Sequence, residues 1–364
     1  MLMKHSSPYR SQHTPFYILE LSGNSRQRGF QHGHTLKEPI QRAMDFYRGF
    51  FAKYMGLTFQ ELRRRAARFI EPTARMSALL MSEYEGIADG SGQTLEDIFA
   101  LSGRYEITYE TTRLGECSNA FVGPHQSLSG HALLGQNWDW RPEVLDFRAV
   151  LIARCDDVPD YLMVTECGQP GKYGFNEFGL GVIETGLCCT KQTSIGENLF
   201  VAVTREMLAH STFGDARNVI YQHPPEATIS FILADSQGHA INYETVPDGI
   251  LERELQPTDI YWHTNHCLQG NEPCTFEDSF IRGRRWIELT ASPGLVSRQT
   301  VGAWLSDSYN GYNAICKAPN PALAETTTWL QTLCSIIMDL NERTMWVTDG
   351  LSSEMPFQSI SLIR

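Results

Sequence analysis

Apolar residues recur at helical spacing over the first third of the chain. In 25–56, Ile40, Met44, Tyr47 and Phe51 fall on one stripe that Pro39 interrupts, so the pattern predicts a helix that kinks or restarts there. Thr58 followed by Glu61 fits a capping box and predicts a helix through Ile70, which Pro72 stops. Thr94 followed by Asp97 predicts another, running toward Tyr109. After Cys117 the texture changes to short apolar runs divided by Gly, Asn, Asp and Pro: NAFVG, HALLGQNW, FRAVLIARC, DYLMVTE, GLGVIETG, TISFILAD, HAINYETV and IYWHTN. These read as strands of a largely antiparallel system, with turns such as Asp235-Ser236-Gln237-Gly238. Helices are expected near 197–222, 279–291 and 299–306, and TLCSIIMDLNERTMWVTDG closes the chain as a hairpin. Strands alternating with helical pairs predict an α+β fold, packed sheets covered by helices.

Length and composition keep that picture within ordinary globular bounds. The chain has 364 residues, 42% of them hydrophobic, no internal repeat and no linker rich in Pro, Gly or Ser, so two domains or one large unit are both allowed. No apolar run is long enough to span a membrane.

Charge separates the chain into two parts. Residues 1–116 carry 15 basic and 13 acidic side chains, while 117–364 carry 15 and 29, for a net charge of -12. Such an acidic surface repels phosphate backbones and argues against nucleic-acid binding. Arg63-Arg64-Arg65 with Arg68 is the one basic cluster and reads as a solvated helix face. Nine cysteines, an odd number without any CxxC pair, argue against a disulfide framework or a zinc ribbon and for a reducing compartment. The N-terminal MLMKHSSPYRSQHTPFY lacks the apolar core of a secretory signal, so a cytoplasmic protein is expected.

The chemistry-bearing motifs narrow the field. GxxxxGK[ST], HExxH and GxSxG are absent, which removes most nucleotide and serine-hydrolase readings. His263, His266 and Cys267 form a tight cluster, but on a strand residues 263 and 266 point to opposite faces, so no metal is assigned. Cys117 opens a strand, Glu116 to Val122, where the helical segment gives way to the acidic one; taken alone it reads as a buried small hydrophobe. Asp139 ends the strand that closes on Gln136-Asn137-Trp138-Asp139, and Asn265 follows the strand IYWH. Strand ends let a rigid sheet present reactive groups, and an asparagine there could donate to an oxyanion.

The order Cys-Ser-Asn, GQNWD, KYGFNEFGLGV (172–182), HTNHCL (263–268), Ser279-x-x-Arg282-x-x-Arg285 and Ala314-Ile315-Cys316-Lys317 resembles the acyl-coenzyme A:6-aminopenicillanic acid acyltransferase family of N-terminal-nucleophile cysteine hydrolases. The leader GNSRQRGFQHG and Arg104-Tyr105-Glu106-Ile107 extend the likeness over nearly the whole chain. The resemblance implies a four-layer αββα sandwich and a precursor that cuts itself between Glu116 and Cys117, giving pieces of 1–116 and 117–364 that stay one globular unit. It implies Cys117 as nucleophile, its freed α-amine as base, Asp139 as the group that orients this amine, Asn265 as oxyanion donor and Arg282 close to the nucleophile; Ser279-x-x-Arg282 also fits an ordinary helix start. The substrate would be a small linear amide, its acyl group passing from a cysteinyl thioester to water or an amine, with no metal or organic cofactor. Acyl-coenzyme A as donor rests on analogy alone.

Two departures bear on this. Penicillin-forming members carry glycine before the cysteine where this chain has Glu116, whose side chain adds steric cost and whose carboxylate disfavours a neighbouring thiolate. They carry arginine where this chain has Lys317, which supplies charge to a substrate carboxylate without a bidentate fork. Trp138, Trp140, Tyr173 and Phe175 either line an apolar acyl pocket or belong to the core. Two other readings stay open: hydrolysis of aminoacyl amines such as β-alanyl conjugates, and a non-catalytic binding protein on the same scaffold.

Overall fold

A computed structural model describes residues 15–109, 116–189, 195–274 and 276–363. The chain opens with strand β1 (Tyr17–Gly23) and helices α1 (Ser25–Thr35), α2 (Lys37–Met55), α3 (Phe59–Ala67), α4 (Ile70–Met76), α5 (Ala78–Ser91), α6 (Leu95–Ser102) and α7 (Arg104–Tyr109). Strands β2 (Glu116–Val122), β3 (Leu133–Trp140), β4 (Arg148–Cys155), β5 (Tyr161–Glu166), β6 (Tyr173–Asn176) and β7 (Gly181–Gly186) follow. Then come α8 (Phe200–Met207), α9 (Phe213–Gln222), β8 (Ile229–Ala234), β9 (Ala240–Val246), β10 (Gly249–Leu255) and β11 (Ile260–His263). Helices α10 (Glu277–Thr290) and α11 (Arg298–Leu305) precede β12 (Gln331–Asp339), β13 (Thr344–Val347) and β14 (Gln358–Ser361).

The strands form an eight-stranded sheet in the order β1-β4-β5-β6-β7-β8-β9-β10 and a six-stranded sheet in the order β11-β2-β3-β12-β13-β14. Among the described strand pairs only β1 and β4 run parallel; the rest are antiparallel. The two sheets face each other: the Gln136 amide on β3 donates to the Glu184 carbonyl on β7 at 2.6 Å. On the outer side of the smaller sheet, Trp286, Val301, Trp304 and Leu305 of α10 and α11 pack on Ala120, Val122, Leu133 and Ile337. On the outer side of the larger one, Tyr161 of β5 donates to Glu83 of α5 and Gln169 reaches the Leu101 carbonyl of α6. The α+β fold of two mainly antiparallel sheets between helices is the expected one. Among the described residues no helix is long and apolar enough to cross a membrane.

Local signals explain several boundaries. Asn24 and Thr94 form reciprocal capping boxes on α1 and α6. Thr58 caps α3, but Glu61 pairs with Arg64 and Arg65 instead of closing the box. The long helix of 25–56 breaks at Leu36, and Pro39 sits in the first turn of α2, where a missing N–H costs nothing. Pro72 is a correction on the same grounds: it does not stop a helix but lies in the first turn of α4 after α3 has ended at Ala67.

Helices α1 and α5 cross at backbone contact. A Cβ on Gly29 would collide with the Glu83 carbonyl oxygen, and one on Gly86 with that of Arg26. Because the obstacle is backbone, Gly86→Ala should destabilise the protein by about 1–3 kcal/mol, the usual range for overpacking, read as a lower urea midpoint. An unchanged midpoint would mean that the two helices can separate freely.

Candidate active site

Strand register assembles the site. Antiparallel pairing of β2 with β3 sets Cys117 opposite Trp138 and Glu116 opposite Asp139. In the β2–β11 pair Asn119 faces His263, and the same register carried two residues further brings Asn265 beside Cys117. There the Cys117 N–H donates to Asn265 Oδ1 at 3.3 Å. On the other side of β3, Thr332 of β12 lies opposite Asp139 and donates its hydroxyl to Oδ1 at 2.6 Å. Three residues distant in sequence thus meet at neighbouring strand ends.

Asn265 is held on every side. Its Nδ2 donates to the Gly186 carbonyl at 2.8 Å, its own N–H to Ser279 Oγ at 2.7 Å, and its carbonyl accepts the Cys188 N–H at 2.8 Å. The histidines flanking it have local partners: His263 meets Glu244 at 2.8 Å and His266 meets Ser279 at 2.8 Å. Toward the Cys117 N–H, then, Asn265 presents its acceptor oxygen, while the donor nitrogen expected to serve an oxyanion bonds the Gly186 carbonyl with one of its two hydrogens.

Arg282 approaches from α10, on the outer face of the smaller sheet. Its Nη1 donates to the Cys117 carbonyl at 2.6 Å and to Ser118 Oγ at 3.0 Å, and Nη2 to Asn265 Oδ1 at 2.6 Å. It therefore grips the backbone of the cysteine. Asp278, one turn earlier, accepts from Arg282 at 3.3 Å and from Lys317 Nζ at 2.6 Å. Burial would raise the Asp278 carboxyl, but the charges of Arg282 and Lys317 hold it below the ordinary range. Lys317 already has a carboxylate partner.

The Cys117 side chain, 8% exposed, faces the space between the sheets. It borders a cavity of about 30 Å³ whose lining includes Arg104, Trp138, Asp139, Lys172, Tyr173 and Glu184. All four aromatic residues belong to the buried core; Trp138, Trp140 and Tyr173 also line this cavity, and Phe175 does not. The Tyr173 hydroxyl lies 4.0 Å from Cys117 Sγ. A surface hollow of about 600 Å³ between Pro72, Arg75 and Pro224 holds none of these groups.

Electrostatically the site is restrained. Burial, helped by Asp139, pushes the Cys117 thiol up to about 11. Burial likewise pushes the Asp139 carboxyl up to about 7 and Glu184 up to about 8. Asp139 Oδ2, Glu184 Oε1 and Trp138 Nε1 are buried without a hydrogen-bond partner among the described residues. Such orphaned groups are expensive unless something polar is to meet them. Lys172, Glu184, Asp278 and Thr332 were not singled out from the sequence as site residues. An acid within the fully buried strand GVIETG is the signal that marks Glu184.

Comparison with known proteins identifies the family. The sequence model of the family described as acyl-coenzyme A:6-aminopenicillanic acid acyl-transferase matches residues 127–353, which include Asp139, Asn265, Arg282 and Lys317 and begin just after Cys117. The 40 kDa form of acyl-coenzyme A:6-aminopenicillanic-acid-acyltransferase from Emericella nidulans is 25% identical over 303 residues, 81% of this chain and 83% of that protein. Among solved structures, penicillin V acylase from Agrobacterium tumefaciens is 13% identical with a TM-score of 0.37, over 64% of this chain and 82% of its own. A mutant conjugated bile acid hydrolase from Clostridium perfringens is 12% identical with a TM-score of 0.41, over 68% and 92%. The chain belongs to the acyl-coenzyme A:6-aminopenicillanic acid acyl-transferase family.

Proposed function

We propose that this protein is an autoprocessed cysteine amidohydrolase or N-acyltransferase whose nucleophile is Cys117. The observation that carries the reading is the treatment of that one residue. Asn265 and Arg282 fix its backbone N–H and carbonyl, while its thiol opens toward an acid with an unused oxygen. Cleavage of the Glu116–Cys117 bond would turn the N–H into an α-amine with an ordinary pKa of about 7.7–8.0, a base suited to neutral pH. Asp139 Oδ2 would accept from the new ammonium, whose positive charge would bring the thiol down from its raised value. Asn265 Nδ2 has a second hydrogen beyond the one given to Gly186, and we assign it to the oxyanion, where losing one donor typically costs about 2.7–4 kcal/mol. The substrate is a small linear amide, and the acyl group passes to water or an amine, with acyl-coenzyme A as the donor that family analogy suggests. Segments 1–116 and 117–364 act as two chains of one unit, because β1 is a strand of the larger sheet.

Intact mass under denaturing conditions tests the reading, beside Cys117→Ala. The expected wild type is two pieces, the second beginning at Cys117, and the variant one uncut chain. An uncut wild type with an unreactive thiol would favour the binding-protein reading instead.

A further inference from the structure

Before the Glu116–Cys117 bond is broken, the nitrogen of Cys117 is an amide and cannot act as a base. Self-cleavage therefore needs another proton acceptor. Lys172, only 5% exposed, points into the cavity that Cys117 borders. Among the described residues its Nζ is met by rings: 4.6 Å from the Trp138 centroid, 4.9 Å from Tyr173 and 5.9 Å from Phe200. The first two also frame the thiol, since Trp138 is the cross-strand neighbour of Cys117 and the Tyr173 hydroxyl lies 4.0 Å from Sγ. The ring faces attract the cation but do not replace water or a carboxylate. Among the described residues no carboxylate is bonded to Nζ, so burial makes the charged form costly and the ammonium loses its proton more readily than on a surface lysine.

The groups that act on Lys172 are Arg104 on α7, Cys117 on β2, Glu166 on β5 and Glu184 on β7, with Asp139 of β3 in the same cavity wall. Burial, then Arg104, push the lysine below its ordinary value, against the pull of the two glutamates. The cavity's 30 Å³ exceeds the roughly 10–15 Å³ that one water needs, and Trp138 Nε1, Asp139 Oδ2 and Glu184 Oε1 supply polar partners for it.

We propose that Lys172 is the base of the self-cleavage step, an inference that rests on the autoprocessing reading above. The neutral ε-amine takes the thiol proton, directly or across one water. The thiolate attacks the Glu116 carbonyl carbon, and the C–N bond to Cys117 breaks as the ammonium returns its proton to the departing nitrogen. Water then hydrolyses the Glu116 thioester, releasing the Glu116 carboxylate and the Cys117 thiol; nothing is oxidised or reduced. From that point the α-amine takes over as base.

The test follows cleavage of freshly synthesised full-length chain over time, from about pH 6 to about pH 9, in wild type, Lys172→Met and Lys172→Arg, with thermal melting as the check on folding. Wild-type cleavage should quicken as pH rises, and both variants should be slower by about 100-fold or more, the usual contribution of a positioned base. Added ethylamine should restore the methionine variant in proportion to its concentration, which a merely structural role would not allow. Arginine keeps the cation on the rings but cannot release its proton in this range. An arginine variant that melts and cleaves like wild type would therefore overturn the proposal. A wild-type chain that stays whole would end the autoprocessing reading itself, and this inference with it.

Discussion

Replacing Arg282 with alanine is expected to destabilise the protein by about 3–5 kcal/mol, the cost of removing one partner from a buried charge network. The guanidinium is fully buried and bonds Cys117 O, Ser118 Oγ, Asn265 Oδ1 and Asp278 at once. Its loss strips hydrogen bonds from strand β2, from the segment that follows β11 and from helix α10, and leaves Asp278 with Lys317 as its remaining charge partner among these contacts. Urea denaturation would show a lower midpoint with an unchanged slope. Arg282→Lys should recover part of the loss, since one ammonium can reach some of these acceptors but not fork between them. A midpoint within about 0.5 kcal/mol of wild type, as for an ordinary surface change, would mean that the network carries little of the fold.

Asp139→Asn should separate stability from function. In the fold, burial pushes this carboxyl up from 3.8 to about 7. The stability this group contributes is fully present below the unfolded value, and is lost as pH rises through the folded one. Asparagine cannot ionise, so in the uncut Cys117→Ala chain the added Asp139→Asn change should gain by about 3 kcal/mol between about pH 4.5 and about pH 8, measured as the difference in urea midpoints. On the proposed function, the same change in the otherwise wild-type chain should slow amide turnover by about 100-fold or more, because the asparagine amide would not accept a charged hydrogen bond from a freed α-ammonium as a carboxylate would. A stability difference that stays flat with pH would show that Asp139 is ionised in the fold at every pH tested.

The parts of this structure that were legible are those written in neighbouring residues. Thr94 with Asp97 caps a helix as its spacing predicts, and the turn at Asp235 is closed by its own side chain, which accepts from the Gln237 and His239 N–H groups. Strands without a strong local pattern escaped: β10, with exposed Glu252, Arg253 and Glu254, and the four-residue β6 and β14. β1 escaped because its partner β4 lies far along the chain. The basic run at 63–65 reads as a solvated face, yet Arg63 bonds Asp97 at 2.6 Å and Arg68 bonds Glu226 at 2.5 Å, contacts that depend on how segments meet.

The candidate site divides in the same way. Cys117, Asp139 and Asn265 stand at strand ends that the sequence displays, and register brings them together. Lys172 and Glu184 could not be read as neighbours of the cysteine, because only the meeting of two sheets buries them beside it. Lys317 could be read as a cation but not as one already bonded to Asp278, since 39 residues separate the two.

The parallel pairing of β1 with β4 reaches beyond the site. Every residue from Tyr17 to Gly23 has a partner between Ala149 and Cys155, so the leading segment is woven into the sheet of the following one. Cutting at Glu116 would leave that weave in place, but it would change what happens if the protein is ever fully unfolded. An uncut chain refolds at a rate independent of its concentration; two severed pieces must first find each other, and their recovery falls as they are diluted. Maturation would thus give the molecule a history. A processed copy that is once unfolded at low concentration is lost, and its lifetime is set by how slowly it opens rather than by how favourably it closes.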